Sequence, residues 1–297
     1  MKNVIIVGAG IAGLSAGIYA KKSGFDVTIY ESHIIPGGTC TSWNRGGYLF
    51  EGGMHWLTGS AVNSSLNRIW RETGAIIESS VIKNVDPFMV GEFNGERASL
   101  YRDPNKLKAH FIEISPDDLD AINILYRDIC LFKNLEIDVS DISGVKTKKR
   151  APLNLKTKFK IIPVIPRMVA LRKLSVLEYA SRFKSPLIRQ LLCSVVPSDM
   201  ISVSLLFTLA SFAFGDGGYI EGGSLAMANN MAKYFEELGG EIKLGEKIER
   251  IVIKDNKSNG VFVKDKFIQS DAVIIASDTL TAIDKLFETN VNKLGAN

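Results

Sequence analysis

The spacing of apolar positions predicts a βαβ unit at the start of the chain. Asn3–Val7 is a short β-branched run, which is typical of a buried parallel strand. Apolar and small residues then recur at helical spacing over Leu14–Tyr19, and Ser23-Gly24 ends the helix. Val27–Tyr30 is a second apolar run and leads into Glu31. Two parallel strands joined by one helix are therefore expected over Lys2–Glu31.

The same patterns predict two further groups of elements. In the middle of the chain we expect helices at Ser65–Gly74, Asp103–Phe111, Ser115–Phe132, Leu187–Val196 and Ile201–Phe214, and short strands at Phe88–Val90, Glu92–Asn94 and Ala98–Tyr101. Nearer the end we expect a helix at Leu225–Leu238 and strands at Glu241–Leu244, Ile248–Ile253 and Gly260–Val263. The two apolar helices of the middle group either line a hydrophobic tunnel or form core, and core is the simpler interpretation.

Composition narrows the class of protein. The chain has 297 residues, of which 46% are hydrophobic and 23% charged, so it has room for one large or two ordinary domains. A net charge of +4 gives no reason to expect nucleic acid binding. No run of about 18 apolar residues predicts a transmembrane helix, and no convincing cleavage site follows the apolar start.

Cysteine and histidine usage adds two expectations. The cysteines are widely spaced, which fits reduced thiols in a cytoplasmic protein: Cys40, Cys130 and Cys193. The histidines have no metal-ligand spacing, so no metal site is predicted: His33, His55 and His110.

The turn after the first strand has the pattern G-x-G-x-x-G. Gly8 allows a tight turn, Gly10 lets the backbone approach a pyrophosphate, and Gly13 lets the helix pack on the sheet. Ile11-Ala12 opens the helix, whose free N–H groups favour phosphate. Glu31 lies where its carboxylate can accept hydrogen bonds from ribose hydroxyls. The strand, helix and acid together predict dinucleotide binding.

A second glycine-rich stretch follows and resembles a known family. Pro36-Gly37-Gly38 comes soon after Glu31, and the segment from Gly47 to Trp56 reads GYLFEGGMHW. The density of glycine predicts backbone lying against a cofactor, and the interleaved aromatic residues argue against a solvated loop. These motifs resemble those of the phytoene desaturase, carotenoid isomerase and retinol saturase-like FAD-dependent oxidoreductases.

The resemblance implies a fold and a set of cofactor residues. The fold is α/β, a Rossmann-like FAD-binding domain of the glutathione-reductase type with an inserted α+β substrate domain. The implied domains are residues 1–60 and 216–297 for FAD binding and 61–215 for substrate. FAD phosphates, ribitol and flavin are assigned to Ser32, Gly37, Gly38, Thr39, Gly52, Gly53, Met54 and His55. Many family members have Arg where this chain has Thr39, and Arg45 is a nearby positive charge.

The end of the chain carries weaker family signals. Gly215–Ser224 resembles a turn that leads back into the cofactor domain, and Ser270–Ser277 resembles the strand that closes the parallel sheet. Lys247 and Ile248 are implied to lie on the adenine side. Beside the flavin segment, His55 is the candidate catalytic residue, as a proton donor or electrophilic aid. A structural histidine is the alternative and the simpler interpretation.

Two functional classes stay open. The first is an FAD-dependent oxidoreductase that transfers a hydride between flavin N5 and a lipophilic polyene or isoprenoid-like substrate. An amine oxidase-like flavoprotein is the alternative within that class, because it shares the N-terminal motifs. A dehydrogenase that uses only NAD would not need the second Gly-Gly loop. The second class is a non-catalytic FAD-binding fragment that needs a partner chain, because family members continue well beyond the position of Asn297.

The middle of the chain contains a strongly basic stretch. Between Lys146 and Leu177 there are ten Lys or Arg residues and no acidic residue, mixed with apolar residues and prolines. This composition predicts peripheral contact with an anionic membrane through residues 146–173. A solvated basic loop is the alternative, and nucleic acid binding is disfavoured because no nucleic-acid-binding motif is present.

Overall fold

The structure is a computed structural model, and it describes residues 2–133, 135 and 161–287. Its helices are α1 Ile11–Lys22, α2 Ser65–Glu72, α3 Pro104–Ile114, α4 Leu119–Phe132, α5 Ile165–Leu171, α6 Val176–Ala180, α7 Pro186–Cys193, α8 Ser202–Ala213, α9 Gly223–Glu237 and α10 Thr279–Lys285. Its strands are β1 Asn3–Val7, β2 Asp26–Glu31, β3 Ser42–Arg45, β4 Tyr48–Glu51, β5 Ile82–Lys83, β6 Met89–Phe93, β7 Glu96–Leu100, β8 Tyr219–Ile220, β9 Glu241–Leu244, β10 Ile248–Lys254, β11 Lys257–Val263, β12 Lys266–Gln269 and β13 Ala272–Ile275.

The chain forms two compact units. The first contains Met1–His55, Ile69–Val81 and Ile220–Asn297, and the second contains Trp56–Arg68 and Ile82–Tyr219. Ile69–Val81 thus belongs to the first unit, although it lies within the stretch assigned from sequence to the substrate domain. The functional division at residues 60 and 215 stays a prediction.

A parallel sheet with the order β13-β1-β2-β9 forms the first unit, as the βαβ pattern predicts. Strand β1 is central, with Val4 paired to Val27 of β2 and to Ala272 of β13. Its residues Ile5 and Ile6 are fully buried because a central parallel strand is covered on both faces. That burial is the physical reason for the β-branched run at the start of the sequence.

Apolar layers cover both faces of this sheet. On one side, Ile5 and Val7 share a buried cluster with Ile251 and Val261 of the antiparallel sheet β10-β11-β12. On the other, α1 contacts α9 closely. A Cβ on Gly17 of α1 would lie 2.9 Å from the Phe235 ring, so only glycine permits this approach. The predicted α/β fold class is confirmed.

The second unit is mainly helical and has its own core. Its buried residues come from α3, α4 and the helices from α5 to α8, and they include Phe111, Phe132, Tyr179, Leu191 and Leu206. The two apolar segments that sequence analysis placed in helices, Leu187–Val196 and Ile201–Phe214, both contribute to this core.

Two element predictions in the second unit were wrong in detail. The strands expected at Phe88–Val90 and Glu92–Asn94 are one strand, β6, because Gly91 pairs with Ala98 of β7 within an unbroken hairpin. A Cβ on Gly91 would lie 3.1 Å from Leu191, so this glycine serves close packing against α7 rather than a turn. The helix expected at Ser115 begins at Leu119 after a 3-10 turn.

Within the described residues, no helix combines the length and the hydropathy needed to cross a membrane.

Candidate functional site

A cavity of about 500 Å³ lies in the first unit at the carboxyl ends of the parallel strands. Both glycine-rich loops border it, together with the turns after β2, β9 and β13. Its lining residues are Val7, Gly8, Gly10, Ile11, Ala12, Tyr30, Glu31, Ser32, Gly37, Gly38, Thr39, Lys247, Ile248, Ala276, Ser277, Asp278, Thr281 and Leu286. Ligands of open parallel sheets bind at this edge because the loops that follow the strands converge there.

The first glycine loop is shaped by packing at two positions and left open at a third. Gly8 has φ +100°, and its N–H donates to the Tyr30 carbonyl at 2.8 Å. A Cβ on Gly13 would lie 1.9 Å from the Gly8 carbonyl oxygen. A Cβ on Gly10 would meet nothing closer than Gly38 Cα at 3.9 Å. The protein itself therefore needs glycine at 8 and 13, and Gly10 leaves space for something else.

The start of α1 has the properties of an anion site. Gly10 is the N-cap and offers no side-chain cap, and the first turn has no acidic residue. The N–H groups of the first helical turn have no partner within the helix, and they carry the positive end of the helix dipole. Ile11 and Ala12 of this turn line the cavity. This end of the helix can therefore receive a phosphate group.

The Glu31 carboxylate joins the first glycine loop to the turn that follows β2. Its Oε2 accepts from Ala9 N at 2.8 Å, and its Oε1 accepts from His33 N at 2.8 Å and from Ser32 Oγ at 3.2 Å. Each carboxylate oxygen has two lone pairs, so acceptor capacity remains for a ligand hydroxyl. The predicted ribose contact stays a prediction, and the structural role of this carboxylate was missed from sequence.

The second glycine loop is held directly against the first. Gly37 N donates to the Ala9 carbonyl at 2.8 Å, and Gly37 pairs with Gly10 as an isolated parallel bridge. Gly37 has φ +118°, and a Cβ there would lie 2.6 Å from the Cys40 carbonyl. Gly38 and Thr39 follow along the cavity wall. The structure thus brings together the two loops that sequence analysis assigned to one cofactor.

Five of the predicted cofactor residues do not line the cavity: Gly13, Gly52, Gly53, Met54 and His55. Gly13 packs on Gly8, as described above. A Cβ on Gly53 would lie 2.4 Å from the Thr39 carbonyl, so this segment crosses beside the second glycine loop. Met54 is partly buried and His55 is exposed. The catalytic role of His55 stays a prediction.

Other cavity residues were not assigned to the cofactor from sequence. The group comprises Val7, Tyr30, Ala276, Ser277, Asp278, Thr281 and Leu286. Ser277 and Asp278 follow β13, and the Asp278 carboxylate caps α10 by accepting from Thr281 N at 2.8 Å. A usable signal was present, because the turn after a strand beside β1 must reach the same edge of the sheet.

Glu51 fixes the segment that the resemblance places beside the flavin. Its Oε1 accepts from Gly53 N at 2.7 Å, Met54 N at 3.0 Å and Ser224 Oγ at 2.6 Å, and its Oε2 accepts from Ser224 N at 2.6 Å. Burial alone raises the pKa of the Glu51 carboxyl, but the hydrogen bonds from Ser224, Gly53 and Met54 outweigh it and lower the pKa. The charged carboxylate therefore ties the 52–54 segment to the start of α9.

This lowered pKa makes stability depend on pH. Because the folded pKa of Glu51 lies below the unfolded value near 4.5, its contribution is present above that pH and is lost as pH falls through the folded pKa. We expect Glu51→Gln to lower the free energy of unfolding by about 1–3 kcal/mol at pH 7. The variant should also lose less stability than the wild type as the pH falls below 4.5. Urea unfolding at pH 7 and below pH 4.5 measures both.

Glu237→Gln is the matched control for the Glu51 variant. Glu237 is an exposed residue of α9, and its Oε1 lies 3.9 Å from Lys233 Nζ in a surface ion pair. Its replacement should change the free energy of unfolding by less than about 0.5 kcal/mol. If the free energy of unfolding depends on pH in the same way for wild type and Glu51→Gln, the charged Glu51 carboxylate does not stabilise the fold as described.

The β3–β4 hairpin presents exposed aromatic side chains. Trp43 stacks on Phe50 with ring centroids 6.0 Å apart, yet Trp43 is 51% exposed and Tyr48 is 74% exposed. The inference from sequence that this segment lies against a cofactor stays a prediction. An exposed aromatic face of this kind is typical of surfaces that contact something else.

Known proteins resemble this chain in sequence. Residues 6–73 match the NAD(P)-binding Rossmann-like domain family. The chain is similar to a lycopene-forming phytoene desaturase from Paracoccus sp. (strain N81106 / MBIC 01143), with 26% identity over 94% of this chain and 55% of that protein. It is also similar to the chloroplastic prolycopene isomerase of Daucus carota, with 24% identity over 87% of this chain and 43% of that protein.

Solved structures share the fold. A putrescine oxidase bound to putrescine superposes with a TM-score of 0.57 at 17% identity, covering 96% of this chain and 60% of that chain. A CLA-producing fatty acid isomerase from P. acnes gives 0.54 at 20% identity, covering 97% and 61%. The resemblance stated from sequence is confirmed, and the chain has a Rossmann-like dinucleotide-binding domain. It spans little more than half the length of the relatives that it matches.

Proposed function

We propose that this chain binds FAD and belongs to an oxidoreductase that exchanges a hydride between the flavin and a lipophilic polyene. The observation that carries the proposal is the single cavity wall built by both glycine loops, with Gly37 hydrogen-bonded to Ala9. A nicotinamide dinucleotide would need only the first loop. The likeness to phytoene and carotene desaturases supports the polyene as substrate class.

The residues present fit such a cofactor. The backbone N–H groups of Ile11 and Ala12 would donate hydrogen bonds to the pyrophosphate. The Glu31 carboxylate would accept hydrogen bonds from the hydroxyls of the adenosine ribose, and the Ser32 hydroxyl could donate to or accept from them. Lys247 and Ile248 would lie toward the adenine. Gly37, Gly38 and Thr39 would hold the second phosphate and the ribitol. The flavin supplies the redox chemistry, and the chain supplies binding and orientation.

An amine substrate is the second candidate, because a putrescine oxidase shares the fold. The substrate classes are separable by anaerobic reduction of the flavin-loaded protein. We expect phytoene in detergent micelles to bleach the flavin absorbance and putrescine to leave it unchanged. Gly10→Val protein treated with the same FAD serves as the control for unbound flavin. Bleaching by putrescine and none by phytoene would contradict the polyene assignment.

A partner polypeptide is proposed to complete the substrate site. The chain spans 55% of the length of the Paracoccus phytoene desaturase that it matches. Two exposed apolar regions support the idea: the aromatic β3–β4 hairpin, and Ile274 with Ile275 of β13, which are half-exposed. Exposed apolar surface of this kind is typical of protein–protein contacts.

Peripheral membrane contact is proposed for the basic stretch 146–173. Residues 146–160 lie outside the described residues. In the described part, Ile162, Ile165 and Val169 are exposed apolar residues near exposed Arg172 and Lys173. Apolar side chains that enter the headgroup region, flanked by cations, are the features that bind anionic lipid surfaces. A solvated basic loop remains the alternative.

A further inference from the structure

The second unit contains a cavity that the proposed flavin chemistry does not use. Its volume is about 480 Å³. The described residues that line it are Ile124, Arg127, Asp128, Arg167 and Arg182. Three guanidinium groups against one carboxylate leave this lining with a net positive charge, in a unit whose core is otherwise apolar.

The only carboxylate among the described lining residues, that of Asp128, already accepts hydrogen bonds from the protein. Asp128 is buried, and its two oxygens accept from Arg167 Nε at 2.7 Å and Arg167 Nη2 at 2.6 Å. Tyr179 Oη donates to the same carboxylate at 2.8 Å. This bidentate pair neutralises Arg167 and leaves the other two guanidinium groups without a carboxylate among the lining residues.

Arg182 is the unusual member of the group. Its guanidinium carbon lies over the Tyr179 ring, 4.4 Å from the centroid. Its Nη1 atom is buried and has no hydrogen-bond partner among the described residues. A buried donor of this kind is costly unless a ligand or ion satisfies it. Arg127, on α4, is exposed and uses Nε to reach the Asn123 carbonyl at 3.2 Å.

We propose that this cavity binds a phosphate group through Arg182 and Arg127, with Arg167 held in place by Asp128. A phosphate monoester carries roughly −1.5 to −2 at neutral pH, which matches two uncompensated guanidinium groups better than a single carboxylate does. The guanidinium fork also fits two phosphate oxygens at once. The phosphate can belong to a soluble ester or to a phospholipid headgroup. The site is independent of FAD binding.

The test is thermal unfolding of the full chain in sodium phosphate against sodium chloride at equal ionic strength. Phosphate should raise the unfolding midpoint of the wild type in a saturable way, because it binds the folded state. Arg182→Gln should raise the dissociation constant for phosphate at least about tenfold. Arg189→Gln removes an exposed arginine of α7 outside the cavity, and it should behave as wild type.

Two further arms distinguish the sources of phosphate. Arg182-dependent cosedimentation with phosphatidylcholine vesicles that contain phosphatidic acid identifies a lipid headgroup. Saturable binding of sn-glycerol 3-phosphate without such vesicle binding identifies a soluble ester. If Arg182→Gln does not fold in chloride, Arg127→Gln replaces it. The absence of a phosphate-specific shift in the wild type, or an unchanged shift in the cavity variants, would overturn the proposal.

Discussion

Replacing Gly10 by valine should abolish FAD binding while the protein stays folded. The backbone at Gly10 has φ −71°, which any residue can adopt, and a Cβ there would find no atom within 3.8 Å. The folded chain therefore tolerates a side chain, apart from a helix N-cap cost of about 1 kcal/mol. In the proposed complex the pyrophosphate occupies that space, and the valine methyl groups would collide with it.

Two titrations measure this effect. FAD added to the purified variant should give no flavin fluorescence quenching at concentrations that saturate the wild type, a loss of at least about a hundredfold in affinity. Lys233→Val, on the exposed face of α9, is the control and should bind FAD normally. FAD binding by Gly10→Val at wild-type strength would refute the placement of the pyrophosphate.

Replacing Gly13 by alanine should instead damage the fold itself. The added Cβ would lie 1.9 Å from the Gly8 carbonyl oxygen and 3.3 Å from Ala276 Cβ. The first contact involves backbone, so α1 must move away from β1, and overpacking of this severity costs about 3 kcal/mol. Alanine recovers about 1 kcal/mol as the better helix former. We expect a net loss of about 2 kcal/mol or more.

Gly10→Ala is the matched comparison for Gly13→Ala. The same methyl group is added three positions earlier, where its nearest neighbour is Gly38 Cα at 3.9 Å. Urea unfolding without FAD should place Gly10→Ala within about 1 kcal/mol of wild type and Gly13→Ala clearly below it. Equal stabilities for the two variants would contradict the assignment of packing to Gly13 and ligand space to Gly10.

The parts of the molecule that sequence predicted are those with local signals. The β1–α1–β2 unit follows from hydrophobic period and turn chemistry within Lys2–Glu31, and the glycine loops carry their own motifs. The two strands predicted on either side of Gly91 are one strand, and a glycine in a sequence gives no hint of the Leu191 side chain packed on it. Only the tertiary contact distinguishes the two cases.

The contacts that sequence could not predict join distant positions. Glu51 bonds Ser224, which lies 173 residues away, and Asp216 accepts from Gly59 N, 157 residues away. A lone acidic residue in a glycine-rich segment has the same pattern whether it faces solvent or clamps backbone. The turn after β13 was predictable in principle, because the order of a parallel sheet determines which loops meet at its edge.

The flavin content of the purified chain tests the central claim most directly. Its visible absorption spectrum, and chromatography of the cofactor released by heat, report whether the cavity between the two glycine loops holds FAD. The account predicts flavin bands and release of stoichiometric FAD, either as isolated or after addition of FAD. A folded, colourless protein that takes up no added FAD would contradict it.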